Sequence, residues 1–148
     1  MHKNSSMKRI LIIAKKLHKT LLISALISFL SLSNFNDLST PTVLMFHGAD
    51  KLVHFIMYYT LSLVFMLECY YNSILKLKNS KLILINLIPL FMSISFELLQ
   101  EYFTTSRTGS YYDEIFNIMG IVTATLSFYI IKKWKLVRVA MIFPFKAS

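Results

Sequence analysis

Four long apolar runs dominate the chain, at residues 20–35, 50–70, 82–103 and 113–131. A membrane-spanning helix needs about 20 mostly apolar residues, and only the first run falls clearly short of that length. With 55% hydrophobic and 16% charged residues, a water-soluble core is a poor explanation for such runs. The sequence therefore predicts an all-α membrane protein that forms a bundle of four transmembrane helices.

Positive charge is distributed unevenly around these runs. If the spans alternate in direction, every Lys and Arg except Lys51 and Arg107 lies on one side of the membrane. Basic residues accumulate on the cytoplasmic side of membrane proteins. We therefore expect both termini in the cytoplasm and the protein in the bacterial cytoplasmic (inner) membrane. The acids fall mostly toward the outer face, and Glu68 alone lies toward the inner one.

The predicted organisation has three parts: a basic segment at residues 1–19, a transmembrane domain at 20–131 and a basic tail at 132–148. The first apolar run also fits a secretory signal peptide, but no globular domain follows it, so a retained helix is favoured. The net charge of +9 does not indicate nucleic-acid binding, because the basic residues flank apolar runs. The single cysteine excludes an internal disulfide.

Two patterns concern helix packing. Gly120 and Ala124 follow Asn117 on one helical face, which predicts close approach of a neighbouring helix. Pro89 lies near the middle of the third run and predicts a bend there. The polar, proline-bearing stretch at residues 34–49 is typical of an external loop.

Polar residues concentrate at the outer ends of the last three runs. Residues 96–120 hold four of the seven carboxylates, and Asp50, His54 and Tyr58 form a stripe at a spacing of four. Ionisable side chains inside the membrane cost at least ~2.5 kcal/mol each, so a shared pocket is expected. A structural salt-bridge and hydrogen-bond lock between the helices is the alternative. We expect the pocket to comprise Asp50, Lys51, His54, Glu97, Gln100, Glu101, Arg107, Asp113 and Asn117.

Three segments in order resemble the VanZ-like family of bacterial membrane proteins. They are DKLVHF at residues 50–55, E-x-x-Q at 97–100 and RTGSYYDEIFNIMG at 107–120. The resemblance implies a multi-span protein of the cell envelope, in a family whose named member is associated with low-level resistance to the glycopeptide teicoplanin. It supplies no biochemical activity. Ala124 departs from the family pattern, in which a second glycine often follows the first.

Three functions fit the predicted pocket. The first is binding or modulation of an envelope lipid or cell-wall precursor, with Lys51 and Arg107 contacting its phosphate or carboxylate. The second is an intramembrane acid-base hydrolase or transferase acting on a lipid-linked substrate, with His54, Glu97 and Asp113 as candidate catalytic residues. The third is a small transporter, for which four spans leave little room unless the protein is an oligomer.

No cofactor and no metal are expected from the sequence. Oxygen and nitrogen ligands from His54, Glu97, Glu101 and Asp113 suit a divalent ion, but no HExxH-like spacing supports such a site. The expected partners are membrane lipids and an envelope lipid or cell-wall precursor, with no nucleic acid.

Overall fold

The computed structural model describes residues 2–32, 48–74, 79–103 and 111–142. Every regular element in these ranges is helical, so the predicted all-α class is confirmed for them. In chain order the elements are α1 (His2–Lys16), α2 (His18–Leu32), α3 (Ala49–Tyr71), a 3-10 helix (Asn79–Asn86), α4 (Leu87–Phe103), α5 (Tyr111–Ile131) and α6 (Lys135–Ile142). The predicted external loop lies outside the described residues, except for Gly48 and Ala49.

Two of these helices are long and apolar enough to cross a membrane. α3 has 23 residues and α5 has 21, each with a mean hydropathy of 1.6 in its most apolar stretch. At ~1.5 Å per residue, both exceed the ~30 Å hydrocarbon core of a bilayer. Only 28% of that stretch in α5 is buried, so most of its apolar side chains face outward. The helices in the other two predicted spans, α2 and residues 83–99, are shorter.

Helices α3 and α5 make the most extensive contact among the described elements, and Gly120 explains why. A Cβ atom built on Gly120 would lie 2.5 Å from the carbonyl oxygen of Phe55 and 2.9 Å from the backbone nitrogen of Tyr59. Only a glycine lets two helix backbones come this close. Ala124, one turn further along α5, is completely buried. The predicted close approach at Gly120 and Ala124 is confirmed.

The third apolar run begins as a 3-10 helix and becomes α-helical at Leu87. Pro89 therefore lies in the first turn of α4, where a missing backbone N–H breaks no helical hydrogen bond. The predicted bend at Pro89 in mid-helix is wrong, since the change of helix type precedes the proline. The side-chain amide of Asn86 donates a 2.8 Å hydrogen bond to Thr125 Oγ1 and holds the 3-10 helix against α5.

The helices end in two chemically different layers. One layer holds the start of α2 and the last residues of α3 and α5, and we call it the basic end. The opposite layer holds the first residues of α3 and α5, and we call it the site end. At the basic end Asn72 Nδ2 donates to the carbonyl oxygen of Lys16 at 2.8 Å. Lys19 Nζ donates to the carbonyl oxygen of Met141 at 3.3 Å, which ties α6 to α2. These contacts hold the short flanking helices against the bundle.

Candidate functional site

His54 and Asn117 form the centre of a buried polar network at the site end. His54 lies on α3 and is 5% exposed, whereas Asn117 lies on the facing side of α5 and is 1% exposed. The distance between His54 Nδ1 and Asn117 Oδ1 is 3.1 Å. Asn117 Nδ2 donates to Glu114 Oε2 at 3.1 Å, which orients the amide with its oxygen toward the imidazole. Since an amide oxygen can only accept, His54 Nδ1 is the donor.

Glu114 extends the network from α5 to α4. Its position three residues before Asn117 puts both side chains on one helical face. The second carboxylate oxygen, Glu114 Oε1, lies 2.8 Å from the hydroxyl of Ser93. Ser93 is fully buried on α4. A continuous set of hydrogen bonds therefore links α3, α5 and α4 inside an apolar surrounding, where each bond is stronger than it would be in water.

Glu97 places a carboxylate near the same ring nitrogen of His54 that faces Asn117. It lies one turn after Ser93 on α4, and its Oε1 is 3.6 Å from His54 Nδ1. Its side chain is 13% exposed. An imidazole at this distance from a carboxylate forms an ion pair when the ring is protonated, although 3.6 Å is longer than a hydrogen bond.

Two aspartates lie where α3 and α5 begin. Asp50 is exposed and Asp113 is buried, and each is in the first turn of its helix, where the helix dipole favours negative charge. One ligand atom from each of Asp50, His54 and Asp113 lies within 4.8 Å of the other two. Two carboxylate oxygens and an imidazole nitrogen are a ligand set that suits a divalent cation.

The remaining predicted site residues are placed less fully. Lys51 Nζ lies 6.0 Å from the centre of the Tyr112 ring, at the edge of a cation–π contact. Gln100 and Glu101 lie on α4, but their side chains are outside the described part of the chain, and Arg107 lies outside it altogether. The proposed anion contacts of Lys51 and Arg107 therefore stay predictions.

Sequence reasoning missed two members of the network, Glu114 and Ser93. The signal for Glu114 was its spacing of three from Asn117, and the signal for Ser93 was its spacing of four from Glu97. At these spacings Glu114 shares a helical face with Asn117, and Ser93 shares one with Glu97. Of the selected residues, the structure brings together Asp50, His54, Glu97, Asp113 and Asn117.

The fold and the site define a class: a helical protein with two helices able to cross a membrane and a buried polar network between apolar helices. A scan against protein-family models, a search of curated proteins and a search of solved structures each give no match to this sequence. The resemblance to the VanZ-like family therefore stays a prediction, carried by residues 50–120 alone.

Proposed function

We propose that the protein is a four-span protein of the bacterial cytoplasmic membrane with both termini in the cytoplasm. In this proposal it binds or modulates an envelope lipid or cell-wall precursor through the polar network at its site end. The single observation that carries it is the buried His54–Asn117–Glu114 hydrogen-bond network inside helices whose other faces are apolar. Polar side chains at membrane depth are costly, and they mark functional sites by default.

The chemistry of the site limits the ligand. The carboxylates of Asp50 and Glu97 offer hydrogen-bond acceptors, which suit the hydroxyl, amide and ammonium groups of a sugar-peptide head group. Lys51 lies at the same end, within reach of a head-group phosphate. A cell-wall precursor joins these groups to a lipid tail, and the apolar faces of α4 and α5 would accompany that tail. We extend the proposal to a contribution to teicoplanin resistance, on the resemblance to the VanZ-like family.

The proposed topology predicts which positions are accessible from outside the cell. In a Cys69→Ala background, we expect a membrane-impermeant maleimide to label the Tyr112→Cys variant in intact spheroplasts and not the Lys133→Cys variant. Tyr112 is exposed at the site end and Lys133 at the basic end. Both variants should react after the membrane is permeabilised. Labelling of Lys133→Cys alone in intact spheroplasts would invert the proposed orientation.

Binding is tested with the purified full chain and a lipid-linked disaccharide-pentapeptide diphosphate as the probe. We expect native mass spectrometry to show retention of this probe and about tenfold weaker retention by His54→Gln and Glu114→Gln. A hydrogen bond to a charged group is worth ~1.5–3 kcal/mol, and ~1.4 kcal/mol is tenfold in affinity. Phosphatidylglycerol, an anionic lipid without sugar or peptide, should be retained equally by all of them.

The matched control is Thr125→Val, which removes a partly buried hydrogen bond with Asn86 away from the His54 network. It should retain the probe like the unmodified chain. If His54→Gln and Glu114→Gln instead lower the melting temperature and leave retention unchanged, the network is a structural lock. The same variants, expressed at equal abundance in a teicoplanin-susceptible strain, should lose any protection that the unmodified chain confers.

A second candidate function is favoured by the position of Glu97. Its carboxylate lies 3.6 Å from a ring nitrogen of His54 that Asn117 also orients. Such a pair can act as acid and base on a lipid-linked substrate. Incubation of the probe with the protein would then release a product that Glu97→Gln does not form, whereas a binding protein returns the probe unchanged.

A further inference from the structure

The ligand atoms of Asp50 and His54 on α3 converge with that of Asp113 on α5, whereas the sequence spacing alone groups only the first two. We propose that these three residues bind a divalent transition-metal cation, with Zn²⁺ as the best match. The inference goes beyond the proposed lipid binding and does not rest on it. It rests on three side chains of metal-ligating type whose ligand atoms all lie within 4.8 Å of one another.

The orientation of His54 supports a metal ligand independently of the aspartates. Its Nδ1–H donates to Asn117 Oδ1 at 3.1 Å. A neutral imidazole carries one proton, so a protonated Nδ1 leaves a lone pair on Nε2. Metal-binding histidines characteristically donate their second ring nitrogen to an oxygen acceptor, which fixes both the tautomer and the ring. Asn117 is thus a positioning residue, itself held by Glu114.

The distances require only a small closure. At Zn–O and Zn–N bonds of ~2.0–2.2 Å, tetrahedral ligand atoms stand ~3.3 Å apart. Atoms now within 4.8 Å of one another therefore need to approach by on the order of 1 Å. Asp50 is exposed, whereas His54 and Asp113 are buried, so Asp50 is the ligand on the solvent side of the set. Three protein ligands leave a fourth position for water or another ligand.

The ligand types select the cation. An imidazole nitrogen favours Zn²⁺ and related transition metals, whereas Mg²⁺ and Ca²⁺ prefer all-oxygen sites. This set differs from the four ligands weighed from the sequence. The proposal takes Nε2 as the ligand atom of His54. Glu97 lies against the other ring nitrogen, Nδ1, which donates to Asn117, so Glu97 is not in the proposed set. The proposed set keeps His54 and Asp113 and has Asp50 in place of the two α4 residues, Glu97 and Glu101.

The test uses Zn²⁺ itself and the full chain, purified in detergent and freed of metal by a chelator. We expect calorimetric titration to show saturable binding of one Zn²⁺ per chain. His54→Gln and Asp113→Asn should each weaken binding by about tenfold or more, and Asn117→Ala should weaken it ~10–100-fold, the usual effect of losing an orienting partner. Co²⁺ in place of Zn²⁺ should give the visible absorption of a tetrahedral site.

Two variants keep the test decisive. Asp50→Asn changes an exposed side chain, so it should fold normally and still weaken Zn²⁺ binding. His18→Gln is the matched control, because it removes an imidazole lying 3.7 Å from a carboxylate at the basic end, and it should bind Zn²⁺ unchanged. The proposal is overturned if the unmodified chain shows no saturable binding, or if Asp50→Asn and Asp113→Asn bind as it does. Neither result would affect the lipid-retention test.

Discussion

Replacing Gly120 with alanine will lower the stability of the protein by ~1–3 kcal/mol, the usual cost of forcing an extra methyl group into a tightly packed contact. The added Cβ would lie 2.5 Å from the Phe55 carbonyl oxygen and 2.9 Å from the Tyr59 nitrogen. Both atoms belong to the backbone of α3, so no side-chain rotation relieves the clash, and the two helices must separate. Thermal unfolding in detergent and abundance in the membrane measure the effect.

The predicted loss of stability is opposite in sign to the usual effect of Gly→Ala in a helix. In an unobstructed helix, Gly→Ala is stabilising by ~1 kcal/mol, because glycine has the greater backbone freedom in the unfolded chain. Met119→Ala is the control, since Met119 is the neighbouring residue of α5 and its side chain is exposed. It should change the melting temperature little. A Gly120→Ala protein that melts at or above the unmodified temperature would show that α3 and α5 pack less closely than described.

Separation of α3 and α5 should also affect the site. His54 precedes Phe55 directly, and Asn117 lies three residues before Gly120, so the close helix contact sets the 3.1 Å distance between His54 and Asn117. Gly120→Ala is therefore expected to weaken retention of the lipid-linked probe in the fraction that folds. The Met119→Ala control should not.

Periodicity and composition predicted the features that depend on local sequence. Helices over the last three apolar runs follow from their composition, and the closeness of α3 and α5 follows from Gly120 and Ala124 at a spacing of four. The grouping of His54, Glu97 and Asn117 follows from the cost of isolated polar groups in lipid. Each of these inferences needs only a helix period and a hydrophobic surrounding.

Features that depend on contacts between helices could not be predicted in this way. The sequence placed Asp113 in one pocket with Asp50 and His54, but a helix period does not give the rotation of α5 relative to α3, which sets the distances between their ligand atoms. The same holds for Ser93, whose hydroxyl reaches Glu114 only because α4 packs against α5. The effect of Pro89 could not be predicted because it depends on where the α-helix begins. The third apolar run starts as a 3-10 helix, so the α-helix begins only at Leu87.

Glu68 makes another contact between helices that the sequence did not predict, and this contact is expected to contribute strongly to the stability of the protein. The charge pattern indicated only that Glu68 lies alone toward the inner face. In the structure it is fully buried on α3 and reaches the first turn of α2. Its Oε2 accepts from the backbone N–H of Thr20 at 3.0 Å and from the Thr20 hydroxyl at 2.7 Å. Its Oε1 accepts from the backbone N–H of Lys19 at 3.2 Å.

The carboxylate thus caps α2 from a different helix. The first backbone N–H groups of a helix have no partner within it, and the positive end of the helix dipole favours a negative charge there. We expect Glu68→Ala to destabilise the protein by more than the ~1.5–3 kcal/mol of a single hydrogen bond to a charged group, because three such bonds are lost together. Loss of folded protein from the membrane and a lowered melting temperature would measure it.

A graded series separates the charge of Glu68 from its hydrogen bonds. Glu68→Gln keeps one oxygen acceptor for α2 and loses the charge, so its effect should be smaller than that of Glu68→Ala. Thr20→Val removes only the hydroxyl, and its cost should be near that of a single hydrogen bond to a charged group, ~1.5–3 kcal/mol at most. If Glu68→Ala is no more destabilising than Thr20→Val, the carboxylate does not cap α2. If the predicted order is observed, α2 is held in the bundle by a buried charge at the end opposite to the His54 network.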